Sequence, residues 1–208
     1  MGDDLALMAF VRAIALGERA RVLGELAAAP ELALASVGAG AARNGADDYF
    51  LDEISHHVYR GDTALHIAAA AYESGIVCEL VDAGANTRAA NRRGAEPLHY
   101  AVDGNPLSAR WDPLAQRETV GSLVALGADP NAADKNGTTP LHRAVRNRCA
   151  AAVEALLDLG ADPRADNGRG STPMALARWT TGRGGSGLPE ARAEQAAIVG
   201  LLRASGAV

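Results

Sequence analysis

Apolar residues recur at helical spacing over residues 5–29. Leu5, Met8, Val11 and Ile14 lie three apart, and Val22, Leu23 and Leu26 resume the stripe after a break at Gly17. Positions three and four apart share one face of a helix, so this stretch predicts a helix pair, closed by Pro30. Further on, short apolar runs start directly behind a threonine and a proline. In Thr139-Pro140-Leu141-His142-Arg143-Ala144 the Thr139 hydroxyl suits the N-cap and Pro140 the first helical position, where its missing N–H costs nothing. Leu141 and Ala144 then point to one face, and Gly137 suits a tight turn just upstream. The segment predicts a hairpin turn, a cap and a short helix.

That phrase occurs four times: from Gly61 (Gly-Asp-Thr-Ala-Leu-His-Ile-Ala), from Gly94 (Gly-Ala-Glu-Pro-Leu-His-Tyr-Ala), from Gly137 and from Gly170 (Gly-Ser-Thr-Pro-Met-Ala-Leu-Ala). The intervals are 33, 43 and 33 residues. A second phrase keeps step, Gly84-Ala85-Asn86, Gly127-Ala128-Asp129 and Gly160-Ala161-Asp162, each ten residues before the next repeat glycine. Two phrases in fixed register at a 33-residue period resemble the ankyrin repeat, over about residues 59–208 and more weakly over 5–30. The resemblance implies an all-α fold, a solenoid of helix pairs joined by β-hairpin-like turns. We expect one domain over 1–208: an N-terminal capping pair at 5–30, an insertion at 31–58, internal repeats at 59–93, 94–136 and 137–169, and a C-terminal cap at 170–208. Capping repeats are atypical because one side faces solvent.

The departures from the period carry their own expectations. Residues 36–45 are Gly/Ala-rich and read as a loose loop. In 47–59, Phe50, Leu51, Ile54 and Val58 share a helical face and predict a short helix packed on the cap. In the first regular repeat the helices are expected at 63–72 and 74–83. In the next, Gly104-Asn105-Pro106 ends the first helix, the insert Asn105–Gln116 carries Trp111 and Pro113, and the second helix runs from about Glu118 to Leu126. Gly182–Gly187 reads as a flexible loop before a helix that starts near Pro189 and ends by Ser205-Gly206.

Composition adds limits. The chain has 208 residues, 4% aromatics and a net charge of −5, which argues against a general nucleic-acid binder. Lys135 is its only lysine; with the alanine excess this points to a GC-rich, bacterial coding sequence. Cys78 and Cys149 stand at non-equivalent positions and read as reduced thiols. No apolar run reaches membrane-spanning length, and Met1-Gly2-Asp3-Asp4 is acidic where a secretion signal is basic, so the expected location is cytoplasmic.

Candidate chemistry is sparse. His66, His99 and His142 recur once per repeat, but packed repeats set them about 10 Å apart, too far for one tetrahedral ion. The ankyrin resemblance gives that slot a structural role, with hydrogen bonds within and between neighbouring turns. Asp52/His56 and Glu53/His57 form i,i+4 pairs if their segment is helical, the basis for an alternative reading as a metal-binding or enzymatic protein. No nucleophile elbow, phosphate loop or dinucleotide fingerprint is present, and no cofactor is implied.

The hairpin tips say more. The two residues before each repeat glycine are Tyr59-Arg60, Arg92-Arg93, Lys135-Asn136 and Gly168-Arg169, so every tip carries a cation in a net acidic chain. Consecutive tips line one edge. The resemblance makes the tips and the inner face of the first helices, which includes Arg146, a concave binding surface. Trp111 and Trp179 are either anchors on the rim of that groove or satellite core. The expectation is a non-catalytic protein–protein interaction module that binds through Tyr59, Arg60, Arg92, Arg93, Lys135, Arg146, Arg169, Trp111 and Trp179. Its partner is another protein with an acidic surface, with neither nucleic acid nor membrane, and the chain itself is a monomer or weak homodimer. Nucleic-acid binding through the basic tips is the remaining alternative.

Overall fold

The computed structural model describes residues 2–41, 46–106, 108, 110–178 and 188–207. Five helix pairs follow one another: α1 (Gly2–Ala15) with α2 (Arg19–Ala28), α3 (Ala64–Ala70) with α4 (Ser74–Asp82), α5 (Pro97–Ala101) with α6 (Pro113–Ala125), α7 (Pro140–Asn147) with α8 (Ala150–Asp158), and α9 (Pro173–Ala177) with α10 (Pro189–Ala204). Each helix packs on its pair-mate and on its equivalents in neighbouring pairs, so α1, α3, α5, α7 and α9 form one row and the second helices another. This is the all-α solenoid the repeat predicts. No unit buries its apolar face alone; the core is a continuous layer between the rows. Leu65, Leu98 and Leu141 occupy one slot of it, and Leu80, Leu123 and Leu156 line the other row, all fully buried.

Helix starts follow the chemistry of their first residues. Thr139 Oγ1 accepts from His142 N–H at 3.4 Å and Thr172 Oγ1 from Ala175 N–H at 3.2 Å, with proline next in line. In α1 the expected stripe is shifted. Leu5 is 73% exposed, while Leu7, Phe10, Val11 and Ile14 are buried, an i, i+3, i+4, i+7 set that faces α3. α6 begins at Pro113, five residues before the expected Glu118. Asp112 Oδ1 accepts from Leu114 N–H and Ala115 N–H at 2.9 and 3.1 Å and caps the helix there, so the insert closes at Asp112. Among the described residues no helix is long and apolar enough to cross a membrane.

The insertion differs most from expectation. Residues 36–41 are not a loose loop: they run antiparallel to 58–63, with bridges Ser36–Thr63 and Gly40–Tyr59 and bonds from Val37 N to Asp62 O and Ala41 N to Val58 O at 2.8 and 2.7 Å. This strip stands where a preceding repeat's hairpin would stand and gives the first hairpin a partner. Residues 42–45 lie outside the described residues. The short helix predicted in 47–59 is instead a 3-10 turn at Asp47–Tyr49 and a hairpin, β1 (Phe50–Leu51) paired antiparallel with β2 (His56–His57). Ser55, at φ +52°, closes its turn. The two chain ends are held by a bond from Val58 N to Tyr49 O, and Leu51 and Val58 are both fully buried.

Candidate functional site

The site is built from the hairpins between pairs. Those before Gly94, Gly137 and Gly170 open on an Asx residue three positions before the glycine; the first has Val58 there. Asn91 Oδ1 accepts from Arg93 N–H and Ala95 N–H, Asp134 Oδ1 from Asn136 N–H and Thr138 N–H, and Asn167 Oδ1 from Arg169 N–H and Ser171 N–H, all at 2.8–3.1 Å. Short polar side chains favour such turns because they replace a backbone acceptor. Successive tips are joined by main-chain bonds, Arg92 N to Arg60 O, Lys135 N to Arg93 O and Gly168 N to Asn136 O, at 2.9–3.0 Å. Gly137 sits at φ +72°, and a Cβ there would press into the backbone of Gly168, so both its torsion and the ladder require glycine.

The repeated histidines tie this ladder to the helices. Nδ1 of His66, His99 and His142 accepts from the backbone N–H of Thr63, Glu96 and Thr139, at 3.1, 3.1 and 3.3 Å. Nε2 of each then donates to a carbonyl of the next repeat, Ala95, Thr138 and Ser171, at 3.0–3.1 Å. With a donor facing Nδ1 and an acceptor facing Nε2, only the neutral Nε2–H tautomer fits. Burial pushes all three pKa values down, that of His99 to about 4 with help from the nearby Arg143 charge. These side chains are spent on structure.

Beside the histidines lies a buried polar cluster. The Asp62 carboxylate, with no exposed surface, accepts from Tyr100 OH (2.8 and 2.9 Å), Asn91 Nδ2 (2.8 Å) and Tyr59 N–H (2.6 Å). Asn91 Nδ2 also donates to Tyr100 OH at 2.9 Å. Next to Tyr100, Arg143 donates to Asp103 Oδ2 at 3.0 Å and to His99 O at 3.2 Å, and Asn147 Nδ2 to Asp103 Oδ1 at 3.0 Å.

Beyond this cluster a groove of about 350 Å³ opens between the tips and the inner face of α7. Arg93, Lys135, Arg143, Arg146 and Arg169 line it, and Asp134 is the one acid among the described residues that do. Four cations expected from the tips and inner face thus converge in one recess. Arg143 was not expected. It occupies the variable slot of the Leu-His-x-Ala phrase, filled by Ile67 and Tyr100 in the preceding repeats, and an arginine in a slot otherwise apolar or aromatic was the available signal. Buried and already bound to Asp103, it adds charge from below rather than an open contact.

Two family models match the chain: "Ankyrin repeat" over residues 60–92 and "Ankyrin repeats (many copies)" over 123–177. The chain is an ankyrin-repeat protein. Ankyrin repeats are generally protein–protein interaction modules. No curated protein matches the chain.

Other expected site residues lie elsewhere on the ankyrin stack. Arg93 and Arg92 lie over the Tyr59 ring, 4.1 and 5.5 Å from its centroid, and Arg92 also donates to Ala41 O at 3.0 Å. Tyr59 is thereby half-covered, and Arg60 is exposed at the first tip. Trp111 is half-buried on the core with its N–H donated to Gln116 Oε1 at 3.0 Å. Trp179 lies outside the described residues. The Asp52/His56 and Glu53/His57 pairs are not helical. Asp52 is in the hairpin turn, Glu53 lies 3.7 Å from Arg12 Nε, His57 packs at a tilt against Phe50, and His56 packs edge-on against Tyr100. Arg110 donates to the carbonyls of Asp52 and Glu53. The hairpin thus bridges α1, α5 and the insert after α5, on the side of the first helices, and takes up the inner surface at this end of the stack. Cys78 is exposed on α4; Cys149 is buried, its thiol pushed up to about 12 by desolvation, which makes it unreactive.

Proposed function

We propose that this ankyrin-repeat chain is a non-catalytic interaction module that takes an acidic segment of a partner protein into the groove between the tips of residues 92–93, 135–136 and 168–169. The observation that carries the reading is the charge of that groove: four cations, besides the Arg143 that is paired with Asp103, against one lining carboxylate, in a protein whose net charge is −5. Such a local reversal steers an acidic partner to one place and keeps other anions off the remaining surface. The tips are held by main-chain bonds between repeats, so little order is lost on binding. The inner surface under Tyr59 and Tyr100 is already taken up by the 50–57 hairpin, which leaves the later repeats to receive the partner. The test is retention of partner protein on the immobilised chain and on its Arg93→Glu/Lys135→Glu/Arg169→Glu variant. Loss of retention, with an unchanged circular dichroism spectrum, supports the reading. Equal retention by both refutes it.

A further inference from the structure

Resting on the reading above that the groove takes an acidic segment, the chain's own charge distribution points to the source of that segment. Residues 1–58 carry nine acids against four bases, so the whole net charge of −5 belongs to them. Residues 59–208 carry 16 acids and 16 bases and are neutral as a set. In the acidic part, Glu18 and Glu25 pair with Arg21, and the Asp4 carboxylate accepts from Gly38 N–H and Ala39 N–H. Asp47, Asp48 and Asp52 are exposed, and among the described residues none of their carboxylates is in an ion pair.

These three carboxylates and the groove stand on one side of the stack. The 50–57 hairpin lies across α1 and α5, where Arg12 donates to Phe50 O at 3.3 Å and His56 packs on Tyr100. Asp52 is in its turn, and Asp47-Asp48 lead into its first strand. The groove cations Arg93, Lys135, Arg146 and Arg169 are exposed beside α7. The inner side is therefore negative at one end and positive at the other. Two copies laid face to face with antiparallel stacks are related by a two-fold axis that crosses the stack midway between the patches. That axis sets the negative patch of each copy against the positive patch of the other, whatever the distance between the two patches. With parallel stacks, like charges would meet. An unrelated acidic protein makes one such contact, whereas a second copy makes two, the second of them intramolecular once the first has formed.

We infer that the groove's acidic partner is a second copy of this chain, with Asp47, Asp48 and Asp52 of each protomer set against Arg93, Lys135 and Arg169 of the other in a two-fold dimer. Exposed ion pairs are weak and screened by salt, so the dimer is weak and salt-sensitive. It covers the groove, so any other acidic protein enters by displacing the second copy.

Sedimentation of the full chain from about 10 to about 300 μM, at about 0.02 and about 0.5 M salt, reads the association. At low salt the mean mass should rise from one chain towards two and stop there; at high salt it should stay at one. Asp47→Arg/Asp48→Arg/Asp52→Arg and Arg93→Glu/Lys135→Glu/Arg169→Glu should each be monomeric alone. An equal mixture of the two should associate again, because both contacts then join opposite charges. A wild type that stays at one chain in low salt, or pairs equally well in high salt, overturns the second copy as partner and leaves the acidic-partner reading to the retention assay. Growth beyond two chains overturns the two-fold arrangement, and so does a mixture that stays monomeric while both variants keep the wild-type circular dichroism spectrum. Should either variant misfold, the wild-type masses decide by themselves. A groove variant that both dimerises and retains partner protein like the wild type overturns both readings.

Discussion

Acidification should unfold this protein through its repeat histidines, and His99 gives the magnitude. Its Nδ1 faces the Glu96 N–H and its Nε2–H is bound to Thr138 O, so a second ring proton has no acceptor and would confront a donor. The folded-state pKa is pushed down to about 4, first by burial and then by Arg143, against 6.5 for an open histidine. A base with a depressed folded pKa stabilises the fold fully above pH 6.5, and that contribution is lost as pH falls from 6.5 towards 4. Linkage puts the loss from His99 at about 2 kcal/mol at pH 5 and about 3 kcal/mol by pH 4. His66 and His142 are shifted in the same direction with the same bonding, so their losses add. The assay is urea denaturation at pH 7.5 and 5.0 of the wild type and of His99→Gln, whose amide can replace part of the bonding but does not titrate. The variant should be less stable at pH 7.5 and should lose about 2 kcal/mol less than the wild type on going to pH 5.0. Equal losses in the two proteins, or a His99 titration near 6.5 by NMR, would refute the reasoning.

Three further outcomes follow from local geometry. Tyr100→Phe removes the hydroxyl that donates to buried Asp62 and should cost about 1–3 kcal/mol by denaturation, with no compensating change in the spectrum of the folded state. Glu96→Thr should stabilise the protein by up to about 1 kcal/mol, since threonine is the better cap, Glu96 Oε2 is buried without a partner, and Arg88 is 4.0 Å from Oε1. Desolvation raises the Glu96 pKa, so its destabilising effect exists above that pKa and fades in acid; the gain should be larger at pH 7 than at pH 4. Gly137→Ala, at φ +72° and against the backbone of Gly168, should cost at least about 1 kcal/mol and speed hydrogen exchange at the Gly168 amide, which the ladder protects.

The repeats were legible because each carries most of one set of punctuation marks: a positive-φ glycine in all four, and in three of the four a threonine cap (Glu96 stands in the second), a proline at the first helical position (Ala64 in the first) and a histidine that spans to the next turn (Ala175 in the last). These are local signals, and the structure places helices where they stand. The start of α6 was also written locally, as Asp112 followed by Pro113, but the cap pair was taken for part of the insert. The 50–57 segment was not legible in this way. Phe50, Leu51, Ile54 and Val58 fit a helical face, yet Leu51 and Val58 are buried by the hairpin's packing on α1 and α5, a tertiary contact that outweighs a short segment's own preference. In the candidate site, the tip cations could be read from register alone, because register fixes which residues share an edge. Their convergence with Arg143 could not, since that depends on how the tips and α7 come together around one groove.

The most direct test of the groove as the binding site is a hydrogen-exchange footprint of the chain with its captured partner bound. The account predicts slowed exchange at residues 92–93, 134–136 and 167–170 and at the inner face of α7, with α4, α6 and α8 unchanged. Protection confined to α4, α6 and α8, with the tips exchanging as in the free protein, would contradict it.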